Sequence, residues 1–202
     1  MPTYIIAITG ASGSIYGVRL LDYMIRSGFK VYLTVTKGGW YILREEAGFY
    51  WKGGEDEINH SICKHYGISP KRFHYFNEDN LTADIASGSV KTDGMIVVPC
   101  SMKTAASIAC GFSSNLVGRS ADVIMKEKRP LIIVPRETPL NSIHLRNLLT
   151  LSEMGVHVIP AMPAFYNKPE TIADIADFIV GRILDSLHIE NDLYKRWVDN
   201  LL

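Results

Sequence analysis

Hydroxyls, amides and fixed cations gather in three short runs of this chain, and together they suggest a site for phosphate esters. Thr9-Gly10-Ala11-Ser12-Gly13-Ser14-Ile15-Tyr16-Gly17 follows an apolar stretch and is made mostly of small residues, so a ligand can approach its backbone closely. Val98-Pro99-Cys100-Ser101-Met102-Lys103-Thr104 puts two hydroxyls and an ammonium where the apolar run Met95 to Val98 ends. Val134-Pro135-Arg136-Glu137-Thr138-Pro139 does the same with a guanidinium and a carboxylate after Leu131 to Val134, and its prolines restrain the charged pair. Arginine grips phosphate through a fork of donors and lysine as a point charge, while a carboxylate can carry a proton.

Each run also has a plainer reading. The glycines of the first are spaced G-x-x-G-x-x-x-G, not G-x-G-x-x-G, and the second strand ends Val35-Thr36-Lys37 without an acid. No tyrosine is followed four residues later by lysine. A nicotinamide dinucleotide is therefore disfavoured, which leaves a mononucleotide phosphate at a helix start or a tight turn without a ligand. Ser101 could simply cap a helix. Arg119 and Lys126, seven apart, share one helix face and are expected to meet Arg136 at one sheet edge; a solvated face would give the same spacing. Arg182 falls on the shoulder of an apolar stripe, free to turn to a cleft or to water. Tyr166, in a loop, and Trp197, in the tail, are packing residues or site residues. Cys100 reads as a small buried residue, and neither the six histidines nor the three cysteines have metal-ligand spacing.

The elements that must position these groups alternate regularly. Strands are expected at Tyr4 to Ile8, Val31 to Val35, Arg72 to Phe76, Met95 to Val98, Leu131 to Val134 and Val156 to Ile159. Helices are expected from Gly13 to about Ser27, Lys37 to about Glu46, Glu55 to His65, Thr104 to Cys110, Leu116 to Lys126 and Ile143 to Met154. A last helix opens at Pro169, its stripe formed by Ile172, Ile175, Ala176, Ile179, Val180, Ile183, Leu184 and Leu187. Strands alternating with helices make a single α/β domain spanning 1–202, a doubly wound three-layer sheet that is mostly parallel. Ligands of such sheets bind at the carboxyl ends of the strands, where all three runs fall.

Bulk properties bound the function. With 47% hydrophobic and 21% charged residues, the chain has a globular balance. Lys+Arg and Asp+Glu number 21 each, so no basic field points to nucleic acid or an anionic membrane. No apolar stretch has transmembrane length and no secretory signal opens the chain, so a cytoplasmic protein is expected.

Taken in order, these runs resemble the UbiX-type flavin prenyltransferases, formerly described as aromatic-acid or octaprenyl-hydroxybenzoate decarboxylases. Ser87-Gly88-Ser89, Asp93-Gly94-Met95, Arg119-Ser120-Ala121-Asp122-Val123, Ile143-His144-Leu145-Arg146-Asn147, Met162-Pro163-Ala164-Phe165-Tyr166 and Arg182-Ile183-Leu184-Asp185 extend the likeness over most of the chain. Only Gly48 to Asn80 stands outside it. The resemblance implies a flavodoxin-like fold that binds FMN. It also implies transfer of a dimethylallyl group from dimethylallyl monophosphate to N5 and C6 of reduced FMN. The product would serve a UbiD-type decarboxylase, and the chain would assemble as trimers within dodecamers.

By the same resemblance, Gly10, Ala11, Ser12, Gly13, Thr36, Ser101, Met102, Lys103, Thr104 and Arg119 match flavin-contacting positions. Lys126, Arg136, Tyr166 and Arg182, with Ser87 and Gly88, match the donor site. Glu137 matches the acid–base residue, Glu46 a second carboxylate near the site, and Trp197 an aromatic gate. Thr36 stands where many relatives carry serine, and it keeps the hydroxyl. The residue types suit the chemistry, because fixed cations stabilise a departing phosphate and aromatic faces an allyl cation, with no metal required. The rivals are a peptidyl-cysteine decarboxylase on the same fold, which needs a catalytic histidine, and a flavin-binding protein without catalysis.

Overall fold

The computed structural model describes residues 1–49 and 51–196. Six strands form one sheet: β1 (Thr3–Ile8), β2 (Lys30–Val35), β3 (Phe73–Asn77), β4 (Gly94–Cys100), β5 (Leu131–Pro135) and β6 (His157–Val158). Every pairing is parallel and the order is β3-β2-β1-β4-β5-β6. Seven helices cover it: α1 (Ser14–Arg26), α2 (Lys37–Ala47), α3 (Glu55–Tyr66), α4 (Met102–Ala109), α5 (Leu116–Lys126), α6 (Ser142–Glu153) and α7 (Ile172–Ser186). This is the expected doubly wound, flavodoxin-like three-layer sheet. None of the described helices is long and apolar enough to cross a membrane.

The central strands are apolar on both sides because both faces are covered. On β1, Tyr4, Ile6 and Ile8 join a core with α1, α2, α3 and α7, through Leu20, Met24, Leu43, Ile62, Ile179 and Ile183. Ile5 and Ala7 point the other way, into a core with α4, α5 and α6 through Ala105, Ile108, Ile124 and Leu151. The sheet thus separates two groups of helices, and this division decides which site residues can meet.

Element boundaries shift where caps outweigh periodicity. The last helix begins at Ile172, not Pro169, because the Thr171 side chain accepts from the Asp174 N–H and ends the preceding loop. Ile172 itself is 72% exposed and lies outside the core stripe. α4 starts two residues before the expected Thr104, since Ser101 caps it by accepting the Thr104 N–H at 3.2 Å. The sixth strand contracts to His157–Val158.

Candidate active site

Running β1 to β2 to β3 in one direction and returning to β4 beside β1 leaves a switch point between β1 and β4, the place where such sheets bind ligands. A cavity of about 450 Å³ opens there, lined by Gly10, Thr36, Lys37, Gly38, Glu78, Ser101, Lys103, Thr104 and Asn115 among others. That volume lies within the range of cofactor sites. Two glycines let its walls approach: a Cβ on Gly10 would come 3.1 Å from the Gly38 Cα, and one on Gly38 equally close to Gly10. Thr9 ties the floor together. Its hydroxyl donates to the Pro99 carbonyl and accepts the Ser101 N–H, both at 2.8 Å, joining the end of β1 to the start of α4.

The starts of α1, α2, α4 and α5 lie at this edge, and unpaired N–H groups at a helix start are the natural anion receptors. The start of α1 is already taken. Glu46, near the end of α2, accepts the Gly13 and Ser14 N–H groups at 2.9 Å each and the Ser14 hydroxyl at 3.0 Å. Burial opposes its charge, but these bonds and one from the Ser12 side chain outweigh it and hold the carboxyl below the ordinary glutamate range. The helix after Gly13, expected from sequence as a phosphate cradle, is thus capped by the chain's own carboxylate. At α2 the Lys37 N–H donates to Glu78 at 2.5 Å and the Gly39 N–H to the Thr36 hydroxyl at 3.0 Å. At α4 the Met102 and Lys103 N–H groups meet no acceptor among the described residues. With the Ser101, Thr104 and Thr36 hydroxyls and the Lys103 ammonium nearby, this is the start best furnished for a phosphate.

Beside it lies a second group. The Arg136 Nε donates to the Ser12 carbonyl at 3.0 Å, which brings the guanidinium to the loop whose other groups bind Glu46. Glu137 follows it, exposed at the rim. Ser12, Gly13, Glu46, Arg136 and Glu137 therefore share one edge. Ala11 and Met102 are buried, so they offer backbone atoms only. Cys100 is fully buried and burial pushes its thiol up to about 12, which suits the packing role expected for it. No histidine lines the cavity.

Other expected members are elsewhere. α5 runs antiparallel to the strands, from Asn115 at the cavity to Lys126 beside the turn that enters β5. Eleven helical residues put Lys126 about 16 Å down the far side of the sheet, at the opposite edge from Arg136. The expectation that Arg119, Lys126 and Arg136 converge within one chain is corrected accordingly. Arg119 donates to the Ala86 carbonyl at 3.1 Å and pairs with Asp122 at 3.2 Å. Ser87 meets Ser89 at 2.9 Å, and Gly88 packs on Glu127 past the end of α5, its carbonyl accepting from Arg129 at 2.8 Å. Tyr166 and Arg182 lie together across the sheet from Lys126. Tyr166 meets Phe178 edge-on at 6.3 Å, and Arg182 reaches the Tyr194 hydroxyl at 3.3 Å. Trp197 falls outside the described residues.

Sequence reasoning missed Glu78. Buried after β3, it accepts the Lys37 N–H and, at 2.9 Å, the Asn115 side-chain amide, so it fastens the starts of α2 and α5 at the cavity. Its place at a strand's carboxyl end was the available signal, lost because that stretch was the least regular.

Comparison with known proteins follows this geometry. The flavoprotein family matches residues 2–184. The flavin prenyltransferase UbiX of Halalkalibacterium halodurans is 49% identical, covering 96% of this chain and 92% of its own. A dodecameric FMN-dependent UbiX-like decarboxylase from Escherichia coli O157:H7 superimposes with a TM-score of 0.85 at 40% identity, over 96% of this chain and 98% of that one. AnUbiX (PadA1), solved in complex with FMN and dimethylallyl pyrophosphate, gives a TM-score of 0.86 at 36% identity, over 97% of each chain.

Proposed function

The chain belongs to the UbiX flavin prenyltransferases of the flavoprotein family, and from that membership we propose how its residues divide the transfer of a dimethylallyl group to FMN. The observation that carries the division is the cavity between β1 and β4, where the start of α4 keeps two N–H groups without an acceptor among the described residues while carboxylates engage the starts of α1 and α2. The FMN phosphate takes the Met102 and Lys103 N–H groups and the hydroxyls of Thr36, Ser101 and Thr104. Gly10, Ala11, Ser12 and Gly13 then border the flavin. Reduced FMN supplies N5 and C6 as the positions to be alkylated.

The donor is dimethylallyl monophosphate. As its carbon–oxygen bond breaks, charge builds on the leaving phosphate, and Arg136 stabilises it more in the transition state than before. Arg136 is fixed by one nitrogen on the Ser12 carbonyl and keeps its other donors for the anion. The first new bond displaces the proton of N5. The second adds one proton to the allyl double bond and removes one from C6, and Glu137 at the rim carries that exchange. Glu46 keeps Ser12 and the start of α1 in place while this happens.

Lys126, Ser87 and Gly88 lie across the sheet from Tyr166 and Arg182, so one chain cannot gather the whole donor set. We propose that neighbouring copies complete it, as an assembly like that of the dodecameric relative would allow. The product passes to a UbiD-type decarboxylase. Incubation of the purified protein with reduced FMN and either dimethylallyl monophosphate or the diphosphate tests the reading. The extracted flavin gains one isoprene unit from the monophosphate. An unchanged flavin with both donors overturns the proposal.

A further inference from the structure

We infer that Tyr194 is a positioning residue that aims the Arg182 guanidinium at the donor phosphate, with Gly181 as the seat of its ring. The inference rests on the role proposed above for Arg182. The chain after α7 folds back across that helix, and the Tyr194 ring lies on it at the one position without a side chain. A Cβ on Gly181 would come 2.5 Å from the ring. Phe178, one turn earlier, meets the same ring at 5.1 Å and also meets Tyr166 edge-on at 6.3 Å. A row of three aromatic rings thus connects Tyr166 to the tyrosine that touches Arg182.

The polar end of Tyr194 completes the device. Its hydroxyl donates to Asp185 Oδ2 at 2.6 Å and accepts from Arg182 Nη1 at 3.3 Å. Asp185 is itself crowded with donors. Arg196 reaches it at 2.9 and 3.2 Å and Asn191 at 3.0 Å, whereas Arg182 Nη1 stands further off, at 3.4 Å. The carboxylate therefore anchors Tyr194 more than it neutralises Arg182. Among the described residues only Nη1 of the guanidinium is engaged, and the side chain is 53% exposed. A long, rotamer-rich cation is thus held in one direction with most of its donors turned outward. Holding it so removes part of the ordering cost of binding an anion.

The test uses the intact protein with reduced FMN and dimethylallyl monophosphate. Tyr194→Phe keeps the ring and its seat but removes the hydroxyl. It should raise KM for the donor about three- to tenfold, the worth of one ordinary hydrogen bond, because the lost contact only orients the guanidinium, with kcat at saturating donor and FMN affinity unchanged. Gly181→Ala removes no polar group, displaces the ring and crowds Asn191 Oδ1, 3.0 Å from the added Cβ, and should raise KM by a similar factor. The double variant should be no worse than the poorer single one, because both act through one contact. Arg182→Ala is the control for the parent reading. If it leaves KM unchanged, the assigned role of Arg182 fails. If it raises KM while Tyr194→Phe and Gly181→Ala do not, or if those two lower FMN affinity and melting temperature instead, the positioning role alone is overturned.

Discussion

Replacing Glu46 by glutamine should destabilise the fold at neutral pH and leave it unaffected in acid. In the native chain this carboxylate accepts three hydrogen bonds at the start of α1, from Gly13 N, Ser14 N and Ser14 Oγ. Glutamine retains one acceptor oxygen and the shape, but not the charge. A negative charge at a helix N-terminus contributes about 0.3–1 kcal/mol, and cap substitutions cost roughly 0.5–2 kcal/mol. Because Glu46 is solvent-accessible, screening moves the sum to the lower part of that range, about 1 kcal/mol. For a chain of 202 residues this lowers Tm by about 2–4 °C. The sign with pH follows from the direction of its shift. The folded-state pKa lies below the ordinary 4.5, so the contribution is complete above that value and disappears as pH falls through the lowered one. Calorimetry of both proteins across this range should show a gap in Tm at neutral pH that closes in acid. A gap of the same size at every pH would mean that the carboxylate's charge does not hold the helix start.

Two more outcomes test the chemistry and the divided site. Glu137→Gln should bind FMN normally yet fail to complete the second carbon bond; conversion of reduced FMN at the wild-type rate would remove Glu137 from proton transfer. Lys126→Ala and Arg136→Ala should each lower kcat/KM about ten- to a hundredfold, the loss of a charge-assisted contact to phosphate. Dissociating and reassociating the two variants together should recover part of the lost activity, since a shared site can draw Arg136 from one copy and Lys126 from another. No recovery would place both residues in the site of a single chain.

The fold was legible because its signals are local. Continuous apolar strands, glycine turns and the stripe of α7 needed only their own neighbours in sequence. Ser12, Thr36, Ser101, Thr104 and Arg136 were legible for the related reason that a parallel sheet delivers its strand ends to one edge. Glu78 was not, because its role is to join two helix starts distant in sequence, and a carboxylate in an irregular stretch looks like any solvated acid. Lys126 failed differently. Its spacing from Arg119 correctly implied one helix, but spacing along a helix is silent about which end meets the strand end that carries Arg136. Capping decided the remaining differences: Thr171 and Ser101 moved helix boundaries by a few residues through side-chain hydrogen bonds that periodicity does not encode.

The distribution of carboxylates explains how a crevice with several helix starts can select one for a dianion. An N-terminus left unpaired competes for any phosphate that enters. Here Glu46 closes α1 and Glu78 occupies the first N–H of α2, each by reaching across from another part of the chain. Both add negative charge that repels a misplaced phosphate, so each closure also acts at a distance within the crevice. The open start of α4 borders the same crevice, with hydroxyls from two strand ends and a lysine. Acidic residues at the margins thus direct an anion to its place, and they leave Arg136 free for a second, transient one. A site that must hold one phosphate ester while expelling another has reason to be built this way.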